Sequence, residues 1–167
     1  MLTRKLLFTI IVSTILLACQ EKSTSSWTNI KLTQDVPSLV RLNLGDSSEG
    51  HGDGMAFEAS LRDTAGNEVG EVLGWLITVD LLDGDSLNKI YKTDKFGSMV
   101  IKLGDDEIIA QGRTYYSQDQ KLMKSGVPQR RAIVGGTGKY KGVTGQVTTT
   151  RNEDGTYTHE LEMKIDE

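Results

Sequence analysis

Residues 157–165 read YTHELEMKI and alternate between two sets of side chains. Tyr157, His159, Leu161, Met163 and Ile165 form one set; Thr158, Glu160, Glu162 and Lys164 form the other. Successive side chains of a strand point to opposite faces, so the apolar set faces a core and the charged set faces water. The pleat then carries Tyr157 and His159 to one end of the interior. A phenol and an imidazole there can hydrogen-bond the polar group of an otherwise apolar ligand, and an ordinary imidazole exchanges protons near neutral pH. Tyr157 and His159 are the candidate catalytic pair. The plainer alternatives are that both are rim residues, or that His159 is an inner histidine with its hydrogen bonds satisfied.

Further residues can line the same interior. Arg113 and Tyr115 share one face of residues 108–116, but Ile108, Ala110 and Tyr116 occupy the other, so the inward side stays open. Trp75 lies in a segment apolar on both faces and reads as core, pocket wall or oligomer contact. Glu71 shares its face and would have a raised pKa if buried. The loop GDSSEGHGDG (45–54) carries Asp46, Glu49, His51 and Asp53. Its spacing does not match an EF-hand, and no helix pair flanks it for zinc, so no metal is expected. It reads as a polar loop, or as a lid that brings His51 to the pocket.

The stretch AIVGGTGKYKGVTG (132–145) crowds glycines around Lys139. A phosphate-binding loop needs Gly-Lys-Ser/Thr opening a helix whose amides hold the anion. Here Gly138-Lys139 is followed by Tyr140, and VTGQVTTT beyond it is β-branched. The glycines are expected to supply positive φ in a tight turn between strands.

Period-two patterning predicts strands over 39–44, 55–62, 68–80, 87–93, 97–103, 107–116, 130–134, 141–151 and 157–166. Asp154-Gly155 is a strong hairpin signal, and no segment keeps a helical period with caps. Glycines inside strands suit the bends of a closed barrel. The expected fold is all-β, a closed antiparallel barrel of about eight strands, with a sandwich as the alternative.

The chain begins differently. Arg4 and Lys5 precede an apolar run at 6–17, too short for a comfortable membrane span, which ends in Leu16-Leu17-Ala18-Cys19. This resembles the lipobox of bacterial lipoproteins, in which the cysteine is diacylated and N-acylated. The resemblance implies a signal peptide at 1–18, lipid on Cys19 and attachment to the cell envelope; Gln20 rather than Asp favours the outer membrane. Residues 19–38 read as lipidated cysteine and polar tether, and 39–167 as the barrel domain. The chain's one cysteine is then lipidated, leaving no disulfide. Removing Arg4 and Lys5 takes the formal charge of the 167 residues from −4 to −6, which disfavours nucleic acid.

The segments IIAQGRTYY (108–116) and AIVGGTGKYKGVTGQV (132–147) resemble the allene oxide cyclase and dirigent barrels in order and context. The resemblance implies an apolar pocket open at one end and assembly as a homodimer or homotrimer; no cofactor is expected. The family's catalytic groups are only partly matched. Asn43 of Arg41-Leu42-Asn43 aligns with a family asparagine, whereas the family glutamate is missing. Thr144 stands where the relatives carry Arg or Tyr. Two functions follow from different classes: a membrane-anchored barrel that binds an apolar small molecule and guides its cyclisation or isomerisation, and a non-catalytic binding barrel for a ligand or partner.

The lipobox reading predicts that Cys19→Ser abolishes incorporation of labelled fatty acid and releases the protein from the membrane fraction. Wild-type protein that takes up no label and fractionates as soluble contradicts it.

Overall fold

The computed structural model describes residues 26–44, 52–79, 93–116 and 122–165. The strands are β1 (Trp27–Gln34), β2 (Ser38–Leu42), β3 (Gly54–Arg62), β4 (Glu68–Val79), β5 (Thr93–Leu103), β6 (Asp106–Tyr116), β7 (Gln129–Gly136), β8 (Thr144–Arg151) and β9 (Tyr157–Lys164). Neighbours pair antiparallel in the order β1-β9-β8-β7-β6-β5-β4-β3-β2. The end of β1 also pairs with β3, through Thr33↔Arg62 and Gln34↔Leu61. That contact closes β1 and β3–β9 into an eight-stranded barrel, and β2 adds a ninth strand on β3. Closure rules out the sandwich alternative.

The tether expectation is corrected by β1. Trp27–Gln34 was expected to belong to the polar lead, yet it pairs with β9 from Trp27↔Lys164 to Gln34↔Tyr157. Its inward set, Ile30, Leu32 and Gln34, contains only two apolar residues, which hid the alternation. The barrel therefore starts at Trp27, not at residue 39. Pro37 lies between β1 and β2; lacking an N–H, it suits the break between them. The expected strand at 141–151 starts later, at Thr144, because Gly138–Tyr140 forms a 3-10 turn. The expected strand at 87–93 lies outside the described residues except for Thr93.

The interior is layered. Leu32, Leu61, Val72, Ile101, Ile108, Val147, Leu161 and Met163 are buried in the main apolar core. The glycine-rich turn closes that end, burying Tyr140 and Val143 as a plug. The glycine expectation holds in part. Gly138 (φ +56°) and Gly142 (φ +78°) adopt the left-handed region. Gly136 is needed for a different reason: a Cβ there would meet Glu107 O at 2.5 Å and Tyr140 Cβ at 2.7 Å. Lys139 does not point at a phosphate cradle. Its Nζ pairs with Asp106 Oδ2 at 3.2 Å on the surface.

The turn is thus structural. Gly136→Val and Gly138→Val are expected to lose about 1–3 kcal/mol of stability in denaturant melts, through a backbone clash and a strained φ respectively. Lys139→Ala is expected to leave the unfolding midpoint near wild type. Nucleotide binding that disappears in Lys139→Ala would overturn the assignment.

Candidate functional site

A polar layer interrupts the apolar interior at the other end of the barrel. β9 continues past Asp154-Gly155 without a slip, since β8 and β9 pair regularly from Arg151↔Tyr157 to Thr144↔Lys164. Gly155 takes φ +90°, and Asp154 Oδ1 accepts the Thr156 N–H at 3.0 Å. This regular hairpin keeps the pleat in register, so Tyr157 and His159 both face inward; they are 8% and 1% exposed.

His159 is held at both ring nitrogens. Nε2 lies 2.8 Å from Gln34 Oε1, and Nδ1 lies 2.9 Å from Thr149 Oγ1. The Gln34 carbonyl takes the Nε2 proton, which leaves Nδ1 to accept from the Thr149 hydroxyl. Thr149 Oγ1 in turn accepts Arg131 Nη1–H at 3.1 Å. Arg131 Nη2 donates to Thr114 Oγ1. The result is one directed chain across four strands, from Arg131 through Thr149 and His159 to Gln34. Burial, followed by the Arg131 charge, pushes the His159 pKa down to about 3. The ring is therefore neutral at physiological pH, and only weakly basic there. Burial also raises the Tyr157 phenol above its ordinary value, keeping it protonated.

Above this layer lies a narrow cavity that opens to solvent at its mouth. Leu39, Met55, Phe57, Leu76, Met99 and Met123 supply apolar wall; Gln34, Arg131, Thr149, His159, Tyr116 and Tyr157 supply polar lining. Lys95 is also buried at this end, with Nζ 2.7 Å from Thr78 Oγ1 and 5.2 Å from the centroid of the Tyr116 ring.

Interior glycines make this cavity possible. Gly97 and Gly112 are cross-strand partners on β5 and β6. A Cβ on Gly97 would meet Leu76 Cδ2 at 2.2 Å, and one on Gly112 would meet Arg131 Cγ at 3.2 Å. Gly74 has the same relation to Phe57, whose Cζ would lie 2.6 Å from an added Cβ. Each bare Cα thus lets a large side chain lie against the wall instead of across the lumen.

Other residues expected at the site do not reach this cavity. Trp75 is 47% exposed and lines a groove on the outer surface with Val40, Leu73 and Val100. Its neighbours Val72 and Leu76 are both buried, so position 75 takes the solvent side. Glu71 is exposed and pairs with Lys102 at 3.1 Å, so it is not a desolvated carboxylate. Arg113 is exposed, its guanidinium 4.4 Å from the Tyr115 ring centroid. Thr114 and Tyr116 are the buried residues of that stretch, which turns Arg113 and Tyr115 outward. Thr144 is exposed at the start of β8, the plugged end of the barrel. His51 lies outside the described residues, as do Cys19, Asp46 and Glu49. Asp53 is buried and accepts the Leu44 N–H at 2.8 Å.

Arg131 was missed. In QRRAIVGG, Ala132 and Val134 are as apolar as Ile133, so the inward side of β7 had no charged face to mark it. The Thr-rich run of β8 did hold a signal: Val147 faces inward, and the pleat puts Thr149 beside His159.

No family model matches the chain, and no curated protein matches it. Solved structures do. A pyocyanin demethylase is 20% identical with a TM-score of 0.61, the match covering 83% of this chain and 99% of that one. A nonspecific heme-binding cyclase that catalyses a cycloaddition in neoabyssomicin biosynthesis is 18% identical with a TM-score of 0.63, over 90% and 68% of the two chains. The pterocarpan synthase dirigent protein GePTS1 is 16% identical with a TM-score of 0.58, over 84% of each. At these identities the likeness establishes a shared fold, the cyclase and dirigent barrel.

The neutral His159 predicts a pH signature. Its folded pKa of about 3 lies below the ordinary 6.5, so the unfolded chain binds a proton that the native state refuses. The stability due to this ring is complete above the unfolded value and falls as pH drops from there towards the folded value. Between about pH 6 and pH 4.5, wild type should lose stability with a slope approaching one proton, and His159→Gln should flatten it. Equal slopes in the two proteins would show that the imidazole is not held neutral.

Proposed function

We propose that this protein is a lipid-anchored barrel of the bacterial envelope, on the periplasmic face of the outer membrane. It binds an apolar small molecule in the end cavity and guides its cyclisation or isomerisation. The observation that carries the reading is the cavity itself: apolar walls over a layer of fixed, hydrogen-bonded polar groups, inside a closed barrel. A reactive molecule held there is shielded from water and restricted in conformation. Rearrangements within one molecule gain most from such restriction, because orientation and exclusion of water supply the rate advantage.

The residues have distinct parts in this reading. Met55, Phe57, Leu76 and Met99 shape the apolar wall. Tyr157, protonated and lining the cavity, donates to a polar oxygen of the guest. His159 positions: it is neutral, engaged at both nitrogens, and fixes Gln34 and Thr149. The cyclase and dirigent barrels of the same fold support a cyclisation or isomerisation, while the pyocyanin demethylase is a barrel of this fold with a different reaction. The second reading, a binding protein without turnover, is favoured by the low basicity of His159, which leaves no strong base on that ring.

The test combines native mass spectrometry of protein from its own host with incubation of the released molecule. A co-purified apolar compound, converted by wild type into a product of unchanged mass and shifted retention, is the expected result. Met99→Trp, which fills the lumen, should lose both binding and conversion. A compound that binds and returns unchanged establishes the non-catalytic reading; protein that carries nothing and binds no apolar molecule sinks both.

A further inference from the structure

Arg131 is a full positive charge in the barrel interior, 7% exposed. The residue lines the cavity. Of its five N–H donors, one on Nη1 and one on Nη2 are used, both on neutral threonine hydroxyls. Among the described residues no carboxylate forms an ion pair with it, and no Asp or Glu lines the cavity. The other polar lining groups, among them Gln34, Ser98, Thr149, the uncharged His159 ring and the Tyr116 and Tyr157 phenols, supply no carboxylate.

An uncompensated ion in such surroundings is costly, because burial strips hydration without returning a counter-charge. Nothing about packing requires it, since methionine fills a similar volume. The fold nonetheless accommodates this side chain specifically. Gly112 leaves its Cα bare where the Arg131 stem lies, and Thr114 and Thr149 clamp the two terminal nitrogens. A guanidinium held this way keeps spare donors in the geometry that grips two oxygens of one acid.

We propose that Arg131 is an anion receptor, and that the molecule taken into the cavity is an apolar compound carrying a carboxylate or another anionic oxygen group. This rests on the reading of the cavity as a small-molecule site and names the class of molecule. The acid head enters first and meets Arg131 at the polar layer, while the apolar body lies between Met55, Phe57 and Leu76. Burial holds the Arg131 pKa below its ordinary value, and an anion beside it relieves that penalty.

The experiment uses the full-length protein in nanodiscs, with empty nanodiscs subtracted. The probes are benzoate, 2-naphthoate and 4-phenylbenzoate, each paired with its neutral carboxamide, titrated by calorimetry. The expected result is that the best-fitting carboxylate binds at least about tenfold tighter than its amide. Arg131→Met should erase that ratio while leaving amide affinity within about threefold. Arg131→Lys, which keeps the charge but not the fork, should retain part of it; thermal melts verify that each variant folds, and if Arg131→Met does not, Arg131→Lys and the wild-type ratio decide. Equal binding of acid and amide by wild type, or a ratio that survives Arg131→Met, overturns the anion receptor and leaves the cavity reading standing. If no acid and no amide of any size binds, both readings fall together.

Discussion

The barrel depends on one seam. β1 meets β3 only at Thr33↔Arg62 and Gln34↔Leu61, after which Pro37 ends the run and the chain resumes as β2. The contact is reinforced from outside. Arg62 Nε and Nη2 grip the two oxygens of Asp35 at 3.0 and 2.8 Å, and the Asp35 N–H donates to Ser60 O at 3.0 Å. A bidentate guanidinium–carboxylate pair fixes geometry better than a single contact. The pair is partly exposed, so its importance lies in alignment more than in energy. Gln34, the last residue of the seam, is also the acceptor for His159. Closure of the wall and order of the polar layer are consequently one event.

From that seam inward the architecture is a division of labour by depth. The plugged end is apolar and closed by Tyr140 and Val143, and it supplies the hydrophobic burial that small barrels need. The polar layer above it contributes little to that burial. It is costly unless every group is satisfied, and among the described residues no buried side-chain nitrogen or oxygen lacks a partner. With each of these atoms engaged at least once the layer is held in place, even though Arg131 keeps spare donors, and a fixed layer is what a confining site requires.

The fold was legible because its signals were local and repeated. Alternation marked most strands, and in β9 the charged set Glu160, Glu162 and Lys164 left no doubt about which face was inside. The same logic failed wherever both faces carried similar side chains. Trp75 and Arg113 were open for that reason, and Arg131 was invisible because alanine and valine flank it in solvent as isoleucine does in the core. β1 was missed because its inward face ends in Gln34, a polar residue that only makes sense once His159 stands beside it. Pairings between residues far apart in the chain have no local signature, and the polar layer consists almost wholly of such pairings.

The bare walls at Gly74, Gly97 and Gly112 have a consequence for how such a protein changes over generations. The shape of the lumen depends on three positions whose side chains are absent, and two of them, Gly74 and Gly112, do not line it. A methyl at Gly97 would displace Leu76, and one at Gly74 or Gly112 would press on both a side chain, Phe57 or Arg131, and the neighbouring backbone, redrawing the hollow. New guests can therefore be admitted or refused by mutations invisible to a comparison of contact residues alone. Descendants of one barrel can diverge in what they hold while every residue that touches the guest stays the same.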